Sequence, residues 1–82
     1  AGAQTPLRAF RDAVAARYTE GTLQRLLAAE DVTTRRAAAL ALGLVGTPAA
    51  VPATAAALHD PDARTRRLAA DALWQMWFRG GT

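Results

Sequence analysis

The sequence lacks cysteine, lysine and serine altogether. Without cysteine the chain cannot form a disulfide framework or a thiolate zinc site, and the three absences together remove the usual catalytic nucleophiles. No apolar run approaches the ~18 residues that a membrane span needs. No charged segment followed by an apolar core marks a signal peptide. We therefore expect a cytoplasmic protein with no membrane segment and no enzymatic activity.

Patterns for metal or cofactor binding are also missing. The single histidine, His59, stands beside Asp60 at a predicted helix end, which favours a surface loop residue. No glycine-rich loop joins a strand to a helix, so there is no nucleotide-binding fingerprint. Asp60 and Asp62 flank a predicted helix start, where carboxylates serve as caps. We expect no catalytic site, no metal and no cofactor.

Alanine, in contrast, fills 22 of the 82 positions. It has the highest helix propensity, because ordering it loses no side-chain entropy, and no stretch alternates apolar with polar residues as a half-buried strand would. The length allows one small domain. We predict a single all-α domain over residues 5–79, after a disordered tail over residues 1–4. Ten arginines against seven acids give a net charge of +3.

Capping residues, prolines and glycines predict three helices before residue 47. The signals, in chain order, are Thr5-Pro6 before helix one (6–18), Gly21-Thr22 before helix two (23–29), and Asp31 before helix three, which ends at Gly46. The apolar stripe of helix one consists of Leu7, Phe10, Val14 and Tyr18.

The start of helix four has two interpretations. Either Pro48 opens a turn and the helix begins at Pro52, or Pro52 lies one turn inside a longer helix and removes one hydrogen bond. We favour the first, with helix four over residues 52–58. Asp60-Pro61 then predicts the start of helix five, which runs to residue 78 or 79.

An internal repeat appears when the chain is shifted by 31 residues. The windows 27–46 and 58–77 share nine identities, and six of them are not alanine. Composition would rarely produce the ordered Asp-x-x-Thr-Arg-Arg block twice in register. Such a period, holding a short and a longer helix, indicates a helical solenoid. The identical pairs are Leu27/Leu58, Asp31/Asp62, Thr34/Thr65, Arg35/Arg66, Arg36/Arg67, Ala38/Ala69, Ala39/Ala70, Ala41/Ala72 and Leu42/Leu73.

The repeated segment resembles a HEAT repeat of the short kind first described in phycobilisome lyases. The resemblance spans residues 22–78 and implies a short α-solenoid of about five helices. A capping helix over 6–18 would precede repeat one over 22–46 and repeat two over 48–79. HEAT repeats serve many partners, so the resemblance implies a fold and not a partner.

The chain departs from the family pattern in two places. Thr34 and Thr65 stand before the repeat arginines, where the family usually has valine. The second copy also replaces the Leu-Gly ending with Leu73-Trp74 and an aromatic tail. That tail is similar to the last repeat of bacterial HEAT segments that lead into tetratricopeptide repeats, which suggests by analogy a piece excised from a longer scaffold.

The repeat arginines Arg35 and Arg66 match the arginine that resembles a ladder residue in the family. Asp31 with Arg35 and Asp62 with Arg66 are i,i+4 pairs with the acid first, the better orientation. An acid at a helix N-terminus also suits the helix dipole. We expect these four residues to form a structural ladder.

Three further arginines form a candidate arginine face: Arg36, Arg64 and Arg67. They are either solvated surface or part of a binding face, and Arg67 could pair with Asp71. Some HEAT-like DNA glycosylases grip phosphates with such residues, but their arrays are longer. A net charge of +3 supports only weak non-specific binding, of order ~10⁻⁴ M, so we do not expect nucleic acid to be the partner.

The aromatic tail is the most unusual feature. At 100° per residue, one arc of helix five collects the residues that predict its core face. They are Leu68, Ala69, Ala72, Leu73 and Met76. Trp74 and Phe78 fall on the opposite side, and Trp77 lies near the border. These three aromatics, the aromatic edge, either pack inside the chain or contact an adjacent domain, a second copy or a partner.

These observations predict a non-catalytic protein-interaction or scaffold module of a larger protein. Its partner would be another protein, an adjacent repeat domain, or a second copy bound through the aromatic edge. The alternative is weak binding of a nucleic-acid backbone by the arginine face. A third possibility, a lyase or chaperone subunit for a cofactor protein, rests on fold analogy alone.

Overall fold

The computed structural model describes residues 6–80, with side chains for residues 6–12 and 18–79. All regular elements in this range are helical, which confirms the all-α prediction. The predicted tail over residues 1–4 and the Thr5 cap lie outside the described residues. In chain order the elements are α1 (Pro6–Arg17), α2 (Glu20–Leu26), α3 (Val32–Val45), a 3₁₀ turn (Pro48–Ala50), α4 (Val51–Ala56), a second 3₁₀ turn (Ala57–His59) and α5 (Ala63–Gly80).

The helices form a short α-solenoid of two helix pairs. Helix α2 packs on α3 and α4 packs on α5, while the long helices α3 and α5 lie side by side and α1 contacts α3. Leu42 and Met76 are the largest fully buried apolar side chains, and most of the remaining core is alanine. Because a buried alanine removes little apolar area from water, the core depends on close helix contacts. No helix within residues 6–80 is long and apolar enough to cross a membrane.

Glycine permits the closest approach between α3 and α5. A Cβ added to Gly43 would lie 3.3 Å from the Cα of Ala72. One added to Gly46 would lie 2.8 Å from the Cε of Met76 and even closer to the Leu42 carbonyl oxygen. The two glycines therefore let α5 pack almost directly on the backbone of α3.

The predicted boundary between helices one and two was wrong. Gly21 does not end a helix and Thr22 is not the cap, because α2 begins at Glu20. The cap is Thr19, whose hydroxyl oxygen accepts a hydrogen bond from the Thr22 amide at 3.2 Å. A Thr cap followed by an acid at the first helical position suits an N-terminus, and this local signal overrides the glycine. Repeat one thus starts two residues earlier than predicted.

The preferred interpretation of Pro52 is confirmed to within one residue. Pro48 opens a 3₁₀ turn, which Thr47 caps, and Pro52 is the second residue of α4. The Asp60-Pro61 start of helix five was wrong, since α5 begins at Ala63. Asp62 provides the cap by accepting a 2.8 Å hydrogen bond from the Thr65 amide. Asp60 instead accepts one from the Asp62 amide at 2.9 Å.

Helix α1 covers less of the core than its apolar stripe predicted. Leu7, Phe10 and Tyr18 are all exposed, and the Val14 side chain lies outside the described residues. Phe10 and Tyr18 line an open cavity of about 270 Å³ beside α2 and α3 instead of closing a core. The described side chains of this helix therefore cover the first helix pair only in part.

Candidate interaction surface

Two ion pairs join the first repeat to the second. The Nε of Arg35 donates to one oxygen of Asp60 at 2.8 Å, and its Nη2 donates to the other at 3.3 Å. Arg36 binds Asp62 in the same two-pronged way, at 2.9 and 2.8 Å. Both arginines lie in the first turns of α3 and both acids precede α5. Bidentate pairs of this kind fix orientation as well as distance.

The predicted ladder pairs within single helices were therefore wrong. The side chains of Asp31 and Arg35, and those of Asp62 and Arg66, form no hydrogen bond or salt bridge with each other. Each pair is joined only through the backbone, where the arginine amide donates to the aspartate carbonyl at 3.1 Å. The Asp31 carboxylate is occupied as a helix cap, accepting from the amide and the hydroxyl of Thr34, both at 2.9 Å. The guanidinium of Arg35 reaches across to repeat two, where it meets a partly buried carboxylate.

Arg66 shares with Arg35 the contacts between the guanidinium and the carbonyl oxygens of the preceding loop. The Nη1 of Arg35 donates to the carbonyl oxygens of Ala29 and Glu30, at 2.9 and 2.8 Å. The Nη1 of Arg66 donates to the carbonyl oxygens 31 residues later, in Asp60 and Pro61, at 2.8 and 3.1 Å. The repeat thus holds the guanidinium of each arginine against the preceding loop.

The two threonines that depart from the family pattern have a common role. Thr65 is fully buried, and its hydroxyl donates to Asp62 at 2.7 Å while its amide donates to the same oxygen. Thr34 binds Asp31 in the same way. A valine at either position would leave one of the two hydrogen bonds to the cap unmade.

These contacts lower the pKa of the interface carboxylates. The Arg36 guanidinium and the Thr65 hydroxyl hold the pKa of Asp62 well below its usual range. Burial by itself raises the pKa of Asp60. Hydrogen bonds from the Asp62 amide and from Arg35 outweigh this effect, so the pKa of Asp60 lies below its usual value. Hydrogen bonds from Thr34 lower the pKa of Asp31, and the bond to Asp62 raises the pKa of Arg36. All four groups are charged at neutral pH.

One of the three arginines of the predicted arginine face is held in an ion pair. Arg36 belongs to the contact between the repeats through Asp62. Arg64 and Arg67 are exposed on the first turns of α5 and make no hydrogen bond or ion pair with the described residues. Arg67 does not pair with Asp71. Two exposed arginines thus remain of the three predicted.

The aromatic edge lies where the helical arc places it. Trp74, Trp77 and Phe78 are 63%, 62% and 71% exposed. The rings of Trp74 and Phe78 stack on each other, with centroids 5.8 Å apart and planes 25° from parallel. On the opposite side, Ala69, Ala72 and Met76 are fully buried. Trp74 and Phe78 therefore support each other, and all three rings remain mostly exposed.

An open groove of about 520 Å³ runs beside this edge. Its floor comes from α5 and its rim from the 3₁₀ turn before it. Aliphatic side chains and two indoles give the groove a mainly apolar surface. Its lining residues are Leu58, Ala70, Leu73, Trp74 and Trp77.

Sequence reasoning missed the residues that close the C-terminal end of α3. Arg79 donates to the carbonyl oxygens of Gly43 and Gly46, both at 2.7 Å. The Nε of Arg11 donates to the Leu44 carbonyl at 3.2 Å. These partners are more than 30 residues apart in sequence, so no local pattern could reveal them. The described residues contain no group of three His, Asp or Glu side chains that could hold a metal.

One comparison with known proteins identifies a protein family. Neither the curated proteins nor the solved structures compared with the chain include a match. The sequence model of the family described as HEAT repeats matches residues 8–80, which is most of the chain. The two helix pairs and the 31-residue equivalence of their contacts agree with that match. The chain belongs to the HEAT repeats family.

Proposed function

We propose that this chain is a non-catalytic protein-interaction module, and that the aromatic edge with its groove is the contact surface. HEAT repeats generally act as scaffolds for protein interactions. Within that family we propose the short, phycobilisome-lyase-like kind. The 31-residue period supports this, because caps and arginine contacts recur at that spacing.

The observation that carries the proposal is the exposure of three large aromatic side chains along one side of α5. Aromatic residues bury ~150–250 Å² each when covered, and they dominate interface energetics. Patches of this kind on a monomer mark interaction sites, and tryptophan is enriched at binding hot spots. Because Trp74 stacks on Phe78, their rings lose little further freedom on binding.

A homodimer is one form that this contact can take, and it gives a direct test. The chain has two tryptophans, and both lie in the aromatic edge. Tryptophan emission therefore reports on coverage of this surface. If a second copy covers the edge, the chain will self-associate with rising concentration in sedimentation velocity, with a parallel blue shift of the emission. Replacing Trp74→Gln and Phe78→Gln together should abolish the dimer and preserve the helical circular dichroism.

A matched control uses exposed apolar residues elsewhere. Leu40→Gln with Val51→Gln removes two large exposed side chains outside the edge, so the dimer should persist. If the Trp74/Phe78 variant remains dimeric, the edge is not the contact. If the wild-type chain stays monomeric with unchanged emission up to ~1 mM, which corresponds to about −4 kcal/mol, the homodimer is wrong and a different protein is the partner.

The arginines give less support to nucleic-acid binding. Arg36 is held by Asp62, which leaves Arg64 and Arg67 as the cations of the predicted face that have no partner among the described residues. Two such charges would release few counterions from a nucleic acid. Each would change the slope of log affinity against log salt concentration by only ~0.9.

A further inference from the structure

The groove on repeat two corresponds to a surface that is covered in repeat one. Each of its five lining residues has an equivalent 31 positions earlier, and all five equivalents are buried. In repeat one, this surface packs against repeat two. In repeat two, no described residue covers it. The pairs are Leu58 with Leu27, Ala70 with Ala39, Leu73 with Leu42, Trp74 with Gly43, and Trp77 with Gly46.

The arginines beside the groove show the same relation. Arg66 and Arg67 are the equivalents of Arg35 and Arg36, which bind Asp60 and Asp62. The Nη1 of Arg66 is already held by two loop carbonyls, as in Arg35. Its Nε and Nη2, and the whole guanidinium of Arg67, have no partner among the described residues. The equivalent donor groups of Arg35 and Arg36 bind the carboxylates of Asp60 and Asp62, which are two residues apart in the sequence.

Two of the five equivalent positions differ between the surfaces, with Trp74 in place of Gly43 and Trp77 in place of Gly46. Gly43 lies so close to α5 that an added Cβ would be 3.3 Å from the Cα of Ala72. The equivalent residue in repeat two is Trp74, which has a large side chain. An indole at that position prevents a further helix from packing on α5 as closely as α5 packs on α3. The occupant of the groove must therefore lie over the indole rings, at a wider spacing than the next helix pair of a regular solenoid.

We infer that the groove binds a segment of a partner protein that supplies two carboxylates, two residues apart, to Arg66 and Arg67, and continues as an apolar helix over Trp74 and Trp77. The inference rests on the proposed function and specifies the partner's chemistry. A second copy cannot supply these two carboxylates, because the chain has one pair of acids at that spacing, Asp60 and Asp62. Both already bind arginines of their own chain.

A peptide built from the chain's own interface segment provides the probe. It spans residues 60–73 and carries Arg64→Gln, Arg66→Gln and Arg67→Gln, so that Asp60 and Asp62 are its leading charges. The control peptide has identical composition, with these two aspartates moved to its carboxyl end. Each peptide is titrated into the ¹⁵N-labelled full chain. The signals followed are the indole N–H of Trp74 and Trp77 and the Nε–H of Arg66 and Arg67.

We expect saturable shifts of the indole and arginine signals with the first peptide, and binding at least about tenfold weaker with the control. Arg67→Gln in the chain should weaken binding of the first peptide by a similar factor. Because Arg67 makes no hydrogen bond with the described residues, this variant keeps the fold. Arg64→Gln is the matched control, and its affinity should stay within about twofold of wild type. The residue equivalent to Arg64 in repeat one, Thr33, makes no hydrogen bond with an acid among the described residues.

Several results would overturn the inference. They are the absence of saturable shifts up to ~1 mM peptide, equal binding of both peptides, and an Arg67→Gln variant that binds as well as wild type. A short DNA duplex that moves the arginine signals at lower concentration than the peptide would make phosphate the ligand instead. If Trp74→Gln weakens peptide binding and Arg67→Gln does not, the carboxylate inference fails and the proposed interaction surface stands.

Discussion

At the scale of single residues, two buried threonines have opposite surroundings. Both Thr54 and Thr65 are fully buried. The Thr65 hydroxyl donates to Asp62 at 2.7 Å, whereas the Oγ1 of Thr54 in α4 has no hydrogen-bond partner among the described residues. A buried hydroxyl without a partner loses its hydrogen bond to water and gains nothing in return.

The same substitution at these two sites should change stability in opposite directions. Thr54→Val keeps the shape and removes an unpaired polar group, so we expect the free energy of unfolding to rise by about 1 kcal/mol. Thr65→Val removes a hydrogen bond to the cap of α5 and should lower it by about 1 kcal/mol. Urea unfolding followed by circular dichroism measures both. Equal changes at the two sites would show that the hydroxyl partners do not decide the outcome.

At the scale of elements, the C-terminal end of α3 is closed by a side chain from α5. The guanidinium of Arg79 reaches the carbonyl oxygens of Gly43 and Gly46. The last carbonyls of a helix have no intrahelical partner, and the helix dipole favours a cation there. This contact ties the end of α5, and with it the aromatic edge, to repeat one.

Removing this cation should destabilise the domain. Arg79→Met keeps most of the aliphatic stem and removes the donors, and we expect it to lower the free energy of unfolding by about 1–2 kcal/mol. Arg64→Met provides the control, because Arg64 makes no contact of this kind, and its effect should stay within about 0.5 kcal/mol. Comparable losses in the two variants would contradict a capping role for Arg79. Chemical denaturation of both variants decides the matter.

At the scale of the whole molecule, two ion pairs connect the repeats. Arg35 with Asp60 and Arg36 with Asp62 span the junction, and the folded state lowers the pKa of both acids. In the unfolded chain an aspartate takes up its proton near pH ~3.9. Below that pH the unfolded state binds more protons than the folded state, which shifts the equilibrium towards unfolding.

We therefore expect a stability plateau above about pH 5 and a steady loss of stability as the pH falls below ~4. Thermal unfolding at several pH values between 7 and 2 should show this loss. Asp62→Asn should lower the melting temperature at pH 7 and flatten the decline at low pH. Asp71→Asn is the control, since Asp71 makes no ion pair with the described residues. An unchanged decline in the Asp62 variant would show that this pair does not link folding to pH.

The local elements and their repetition follow from short-range signals in the sequence. The caps and breakers Asp31, Gly46 and Pro48 located helix three and the turn after it, because such signals act within one helical turn. The 31-residue identities and the helical arc of α5 indicated the solenoid, its buried side and the exposed aromatic edge. Gly21 misled, since the nearby Thr19 provides a better cap.

Which charged groups meet depends on how the helices pack against each other. Arg35 could reach Asp31 in its own helix, and it binds Asp60 in the next repeat, because the cap had already occupied Asp31 and the helix packing brought a partly buried acid close. Arg79 and Gly43 are likewise neighbours through packing alone. Contacts between residues more than 25 positions apart depend on how helices stack, and a periodic sequence pattern leaves that geometry undetermined.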